Sequence, residues 1–241
     1  MRVTVVGCSP AWPNAGGAQS GYLVEGAAEA VLLDCGAGVL ARLREREPWP
    51  WVSAIVITHL HLDHWADIVP WAFGATFGPG RSSARPVLYV PAASRDTFLE
   101  LAEALSASEA LSTAFELRSY QAESPFSAAD FEVVAHRVLH YQQVAFALRV
   151  READRVLAYS ADSGPCDGLV AAARGADLFL CEATLAEDAD EGVLRGHLSA
   201  SEALAASAEA GARRTVLIHR PSELPTPRGV ERARDGDTFE V

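Results

Sequence analysis

One short segment of the chain carries four side chains able to bind metal ions: His59, His61, Asp63 and His64. It follows the apolar run 54–58, which predicts a buried strand, so these side chains lie where a strand ends and a turn begins. Residues two apart in an extended segment point to the same side. His59 and His61 can therefore share one metal, while Asp63 and His64 serve a second. Imidazole and carboxylate donors favour zinc, iron or manganese over calcium.

Three further candidate donors stand at the ends of predicted strands: His140, Asp162 and His219. Each closes an apolar run of the sequence. The repeated order, strand first and polar donor last, places every candidate at one edge of a sheet framework. A carboxylate such as Asp162 can bridge two cations, which lie roughly 3.5–4 Å apart in two-metal sites.

The order and form of these elements resemble the metallo-β-lactamase superfamily, from the first predicted strand at residues 3–7 to His219. The resemblance implies an α+β fold, the αββα sandwich of two mixed β-sheets between outer helices, formed by residues 1–241 as a single hydrolase domain. It also implies a structural role for Asp34, which follows a predicted strand and would brace the metal-binding loop. The implied ligands are His59, His61 and His140 for the first metal, Asp63, His64 and His219 for the second, and Asp162 as the bridge.

Two later segments are similar to those of ribonuclease Z-like phosphodiesterases within that superfamily. Glu182 lies in Glu-Ala-Thr after an apolar run, and His197 lies in His-Leu-Ser before a predicted helix. The resemblance implies that Glu182 and His197 form a pair near the metals. Phosphodiester cleavage needs a metal-activated water and a proton donor for the leaving alkoxide. We expect His197 to donate that proton or to bind a phosphate oxygen, and Glu182 to fix its tautomer. Asp63 is expected to orient the nucleophile or take its proton; purely structural roles for Glu182 and His197 are the alternative.

The chain departs from the tRNA-processing members of that branch in two ways. Those enzymes carry a long Gly/Pro-rich arm between the third histidine and the bridging aspartate. Here His140 and Asp162 are joined by one predicted strand pair, 144–150 and 155–159. The chain is also acidic, with 32 Asp and Glu against 20 Lys and Arg and a net charge of −12, whereas surfaces that grip nucleic acids are usually basic. Both features favour a small phosphodiester, such as a cyclic nucleotide or a short nucleotide ester, and argue against large RNA.

Three classes of function stay open on the sequence alone. The favoured class is a binuclear metal-dependent phosphodiesterase in which a metal-bridged hydroxide attacks phosphorus. The second is a lactonase or thioesterase on the same metal frame, since such hydrolases do not ordinarily need the pair Glu182 and His197. The third is a non-catalytic metal-binding or interaction protein, against which the complete donor set argues. Related enzymes form homodimers, so the resemblance allows a homodimer here.

Length and composition agree with a globular hydrolase. A chain of 241 residues with 49% hydrophobic content can bury a full two-layer core. No signal-peptide pattern and no apolar run of membrane length are present, which predicts a cytoplasmic protein without membrane contact. The four cysteines are scattered with no Cys-x-x-Cys pair, which favours free thiols.

The apolar patterns predict strands and helices along the whole chain. The strands lie near residues 2–8, 21–25, 30–34, 54–58, 87–90, 115–120, 131–139, 144–150, 155–160, 177–181, 215–218 and 237–241. The helices lie near residues 38–46, 65–77, 94–107, 167–174 and 200–210, with a further one at 228–234, and the Ala-rich segment 101–114 is also helical.

Two features carry weaker signals. His136 lies four residues before His140 on the same face of a strand, so it could approach the metal donors, but a structural role is favoured. Asn14, Gly16 and Gly17 form a polar loop after the first strand. Its backbone amides could bind an anion, although a turn is the simpler interpretation.

Overall fold

Two seven-stranded sheets form the centre of the molecule in the computed structural model, which describes residues 1–187, 189, 192 and 195–241. In the first sheet, six strands lie side by side in chain order: β1 (Arg2–Gly7), β2 (Gly21–Glu25), β3 (Ala30–Leu33), β4 (Ala54–Val56), β5 (Val87–Pro91) and β6 (Glu116–Tyr120). The second sheet also follows chain order: β7 (Phe126–Ala128), β8 (Phe131–Val138), β9 (Ala145–Glu152), β10 (Arg155–Tyr159), β11 (Leu178–Glu182), β12 (Thr215–Ile218) and β13 (Glu231–Arg232). The last strand, β14 (Thr238–Glu240), returns to the first sheet and pairs with β1.

Both sheets are mixed, and their pairing follows the same plan. In the first sheet, β1 to β3 are antiparallel and β3 to β6 are parallel. In the second sheet, β7 to β10 are antiparallel and β10 to β13 are parallel. Ligand sites of open α/β sheets lie outside the carboxyl ends of the strands, so the loops that follow β4, β10 and β12 are where a site is expected.

Helices cover the outer faces of the sheets. In the described residues they are α1 (Val39–Arg44), α2 (Leu62–Trp65), α3 (Ile68–Phe77), α4 (Arg95–Ala104), α5 (Ser108–Ala114), α6 (Asp167–Ala173) and α7 (Ala200–Ala210). None of them has the length and apolar character needed to span a bilayer.

Alternation along the strands divides the apolar residues among three cores, because successive side chains point to opposite faces of a sheet. Val31 and Leu33 belong to the core shared by both sheets, where they join Leu148. Leu32, between them, packs instead with the helices of the first sheet, and Phe179 packs with those of the second. The chain is therefore the αββα sandwich that the sequence predicts.

The structure corrects several predicted elements. The helix predicted at 228–234 is wrong: the chain there forms the short strand β13, parallel to β12. Gly229 with φ 80° precedes it, and two prolines lie just upstream, so this arginine-rich segment is not a helix. The helix predicted at 65–77 begins three residues later, as α3, and the short helix α2 precedes it. The segment 101–114 contains parts of two helices, because the backbone turns at Ser106 with φ 53°. The strand β7 was not predicted, since its three residues carry no periodic signal.

Candidate metal centre

The seven predicted metal donors come together in space. Four lie in the segment after β4 and in α2, and the other three follow β8, β10 and β12 within three residues. They form two overlapping groups in which all donor atoms lie within 4.8 Å of one another. The first group is His59, His61, His140 and Asp162, and the second is Asp63, His64, His219 and Asp162.

Sharp bends in the backbone help to place these side chains. Asp34, Tyr141, Ala161 and His219 all have positive φ, between 47° and 58°. This conformation is uncommon outside glycine and costs on the order of 1–3 kcal/mol per residue, and it tends to cluster at functional sites. Each of the four follows a strand closely, so the bends turn the chain immediately after the sheet and direct polar side chains to its edge.

The first group consists of three imidazoles and one oxygen of Asp162. Nε2 of His140 lies 2.8 Å from Nδ1 of His61. Nε2 of His59 and Nε2 of His140 each lie 3.8 Å from Oδ2 of Asp162. Nitrogen donors with one carboxylate are a set that zinc commonly uses in proteins.

The second group uses the other oxygen of the same carboxylate. Oδ1 of Asp162 lies 3.2 Å from Nε2 of His64 and 3.4 Å from Nε2 of His219. Oδ2 of Asp63 lies 3.1 Å from Nε2 of His219 and 3.5 Å from Nε2 of His64. Asp162 thus presents one oxygen to each group, which is the arrangement that a bridging ligand requires.

The polar atoms at the centre of these groups fit a bound cation. Among the described residues, Nε2 of His59, Nε2 of His64 and Oδ1 of Asp162 are buried and have no hydrogen-bond partner. Leaving such atoms unpaired in a protein interior is costly, and native structures almost always avoid it. A divalent ion in each group would satisfy them.

Burial and neighbouring charges set the protonation of the donors. Burial lowers the pKa of His59 and His140, and nearby imidazoles lower these pKa values further. Both rings are therefore neutral near pH 7, the form that binds metals. Burial alone would raise the pKa of Asp63 and Asp162, but the charge of neighbouring imidazoles lowers both pKa values below the usual range. Burial opposes charge at His64, yet the surrounding carboxylates raise the pKa of this histidine. The second group therefore favours positive charge, which a divalent cation supplies.

A buried hydrogen-bond network orients His64 through Nδ1, the ring nitrogen that does not face Asp162. Nδ1 of His64 donates to Oδ2 of Asp34 at 2.7 Å. The same oxygen accepts from the Tyr159 hydroxyl at 2.6 Å and from the Thr58 hydroxyl at 2.8 Å, while Oδ1 accepts from the Thr58 backbone N–H at 2.8 Å. Hydrogen bonds of this kind fix the tautomer and orientation of a metal-binding histidine. Asp34 thus occupies the bracing position that the sequence predicts.

Other histidines of the site have comparable supports. Nδ1 of His140 donates to the Gly196 carbonyl at 2.7 Å. Nδ1 of His219 donates to the Thr184 hydroxyl at 2.9 Å, which itself donates to the His219 carbonyl at 3.0 Å. The supporting roles of Thr58, Thr184 and Tyr159 were not predicted from the sequence. The two threonines had a usable signal, since Thr58 directly precedes His59 and Thr184 ends the Glu-Ala-Thr segment.

Glu182 and His197 form the predicted pair beside the two groups. Nδ1 of His197 donates to Oε1 of Glu182 at 2.8 Å. The Glu182 carboxylate is fully buried and also accepts from the backbone N–H groups of Ser163 at 3.0 Å and Thr184 at 2.9 Å. The His197 ring lies 5.8 Å from the ring of the candidate ligand His219. The His197 ring also lies 5.0 Å from the ring of His140, so His197 adjoins both donor groups.

The remaining histidine, His136, and two of the cysteines lie outside the two donor groups. His136 lies apart from both donor groups, and its Nδ1 contacts the carboxylate of Glu123 at 3.0 Å. Cys35 and Cys181 are buried free thiols, and burial raises the pKa of each well above its ordinary value. Neither cysteine belongs to a donor group in the described residues.

Comparison with known proteins places the chain among metallo-hydrolases. Residues 29–220 match the model of the beta-lactamase superfamily domain. The chain is 32% identical over 221 residues to the probable metallo-hydrolase YhfI of Bacillus subtilis, covering 92% of this chain and 87% of that protein. It is 30% identical over 277 residues to a ribonuclease Z of Myxococcus xanthus, covering 94% and 89%. The crystal structure of YhfI superposes with a TM-score of 0.86 at 27% identity and covers 99% of each chain.

Proposed function

Because the chain belongs to the beta-lactamase superfamily, in its ribonuclease Z-like branch of metal-dependent hydrolases, we propose that it is a two-metal phosphodiesterase for small substrates. Cyclic nucleotides and short nucleotide esters are the proposed class. One observation carries the proposal. Asp162 divides its two oxygens between two sets of three donors, and beside both sets stands a histidine held by a buried glutamate.

The donor groups are suited to two divalent ions. We assign the first ion to His59, His61 and His140, the second to Asp63, His64 and His219, and the bridge to Asp162. Zinc suits this mixture of imidazole and carboxylate best, with manganese or iron as alternatives. When bound, such a pair of ions polarises the phosphoryl group and lowers the pKa of a nucleophilic water.

His197 is the proposed proton donor for the leaving oxygen. We assign this role to Nε2, the ring nitrogen opposite the one that contacts Glu182. Glu182 fixes the tautomer with the proton on Nδ1 and stabilises the imidazolium form, from which the proton is given up. The three hydrogen bonds that Glu182 accepts hold this carboxylate rigidly. Asp63 is assigned a second role besides binding metal, namely orienting the attacking water or accepting its proton.

The connection between His140 and Asp162 supports a small substrate. It contains β9, β10, the turn at 153–154 that joins them and short connections at 141–144 and 160–161, so no arm is inserted there to bind a folded RNA. The net charge of −12 further disfavours long contacts with phosphate backbones. The name of the Myxococcus relative, ribonuclease Z, raises RNA as a substrate, and the test below therefore includes a precursor tRNA.

A substrate panel tests the proposal. Purified protein with measured metal content is assayed on bis(p-nitrophenyl) phosphate, cyclic nucleotides, a precursor tRNA, a lactone and a thioester. His197→Ala is expected to lower the turnover of phosphodiesters with alkoxide leaving groups, such as cyclic nucleotides, by on the order of 10²–10⁴-fold with metal content unchanged. Bis(p-nitrophenyl) phosphate should lose less, because its leaving group needs little protonation. His136→Ala is the matched control, because it removes another histidine that contacts a glutamate but lies outside the donor groups.

The results separate the candidate functions. Turnover of small phosphodiesters that depends on His197 but not His136 supports the proposal. Efficient hydrolysis of the lactone or thioester, with phosphodiesters untouched, would assign the site to the other hydrolase class. Site-specific cleavage of precursor tRNA would refute the small-substrate part.

A further inference from the structure

A second cavity lies apart from the metal donors, at the loop that follows β1. It has a volume of about 760 Å³, within the roughly 300–1,000 Å³ typical of ligand pockets. Its walls come from the β1–β2 loop, from α1 and from the segment 222–235, and none of the seven candidate metal ligands lines it. A function confined to the metal centre leaves this cavity without a role.

The charge of the lining is opposite to that of the protein. Arg42, Arg232 and Arg234 line the cavity, and Asp235 is its one acidic residue, although the whole chain carries 32 acidic against 20 basic residues. The two oxygens of Asp235 accept from the backbone N–H groups of Cys8 at 3.2 Å and Ala18 at 2.7 Å, and this carboxylate lies 4.0 Å from the Arg42 guanidinium, so it offsets one of the three positive charges. The lining therefore keeps an excess of positive charge.

Two of the arginines hold their charge without a carboxylate partner. In the described part of the chain, neither Arg232 nor Arg234 forms an ion pair. The Arg232 guanidinium is instead fixed by backbone carbonyls, donating to Arg220 at 2.6 Å and to Leu224 at 3.3 Å. Carbonyl groups orient a guanidinium but do not neutralise it. Burial lowers the pKa of Arg232, and the charge of Arg234 acts in the same direction, while Cys8 and Glu223 act against it.

Polar side chains and a tightly packed glycine turn form the rest of the cavity lining. Asn14, Ser9 and Ser222 line the cavity beside the glycine-rich turn. A side chain at Gly17 would collide with the Ser9 hydroxyl, since its Cβ would lie 2.5 Å from Oγ. The Asn14 side chain fixes the opposite wall, donating to the Arg220 carbonyl at 3.2 Å and accepting from the Ser222 N–H at 2.7 Å. These hydrogen bonds tie the β1–β2 loop to residues 220–222, next to the arginines of the cavity.

We propose that this cavity is a second anion-binding site that takes a phosphate monoester, either inorganic phosphate or the phosphate group of a nucleoside monophosphate. A phosphate monoester carries close to two negative charges near neutral pH, which matches the guanidinium groups of Arg232 and Arg234. Arg42 adds a third guanidinium, which pairs with Glu45 at 3.5 Å and lies 4.0 Å from Asp235. Guanidinium groups suit phosphate oxygens because their donors are planar and can bind in pairs. The volume leaves room for a nucleoside beyond the phosphate.

Binding is tested by calorimetry on the metal-loaded protein with inorganic phosphate, AMP and adenosine. The variant Arg42→Gln/Arg234→Gln should bind phosphate at least tenfold more weakly, while Arg155→Gln, at an exposed arginine elsewhere, should bind as the wild type does. Affinity should also fall as salt concentration rises. Tighter binding of AMP than of phosphate, with no binding of adenosine, would identify a nucleotide; equal binding would identify phosphate itself.

The metal centre can bind phosphate too, so the titration is repeated with Asp162→Ala. Binding that persists in this variant and weakens with the arginine substitutions supports the second site. Binding that disappears in Asp162→Ala and is unchanged by the arginine substitutions would overturn it. Should the double variant unfold, Arg234→Gln alone gives the same comparison, because its side chain is exposed.

Discussion

Removing the Tyr159 hydroxyl tests whether a residue that contacts Asp34, but none of the candidate ligands, affects metal binding by the second donor group. The hydroxyl donates to Oδ2 of Asp34 at 2.6 Å, and that oxygen also accepts from His64 at 2.7 Å and Thr58 at 2.8 Å. Tyr159→Phe removes one of these three hydrogen bonds and leaves no donor unpaired. Asp34 then holds His64 with a less constrained carboxylate, so we expect weaker binding of the second metal.

The magnitude follows from the position of Tyr159 in the chain of contacts. Replacing a group that contacts a metal ligand directly, as Asp34 does, typically lowers metal affinity by about 10–100-fold. Tyr159 lies one contact further from the metal, so we expect roughly the lower end of that range, about tenfold. A hydrogen bond to a charged group contributes on the order of 1.5–3 kcal/mol, so the free energy of unfolding of the metal-free protein should fall by about that much.

Competition with a chelator measures the two metal affinities separately, and urea unfolding measures stability. Tyr22→Phe is the matched control, since Tyr22 is buried and packs against Tyr159 with ring centroids 4.8 Å apart, but does not hydrogen-bond Asp34. Equal metal affinities in the two variants would refute the reasoning. Loss of the first metal rather than the second would show that Asp34 acts mainly through Thr58, whose hydroxyl lies 3.1 Å from Nδ1 of His59.

Three other changes have expected outcomes. Asp162→Ala should reduce the occupancy of both metals together in elemental analysis, because its oxygens face both groups; loss of only one would show that Asp162 does not bridge. Glu182→Gln should keep both metals but lower phosphodiester turnover by about tenfold or more, less than His197→Ala, since the proton donor stays in place but loses its orienting carboxylate; unchanged turnover would make the pair structural. Ser199→Ala should cost about 1 kcal/mol in urea unfolding, because Ser199 and Glu202 form the capping box of α7; no change would mean that water replaces the cap.

The clustering of the seven candidate donors could be predicted because its signal is local. Each donor follows an apolar run, and strand, turn and polar residue are all visible within about ten residues of sequence. The supports of those donors have no such signal. Tyr159 reaches Asp34 across 125 residues of chain, and from the sequence it is one more apolar residue of β10. Asp34 follows β3 of the first sheet, and Tyr159 is the last residue of β10 in the second sheet. Only the packing of the two sheets brings these two side chains together.

The position of the arginines in segment 228–234 could not be predicted from the sequence. These arginines, interrupted by acidic residues, lie in a predicted helix and, with the net charge of −12, argue against large RNA as a partner. In the fold the segment is extended as β13, and a two-residue strand leaves Arg232 and Arg234 at one cavity together with Arg42 from α1. Net charge governs contacts with a long polyanion, which spans many Debye lengths of surface. A single phosphate responds to the few groups within contact distance, so an acidic protein can present a basic pocket.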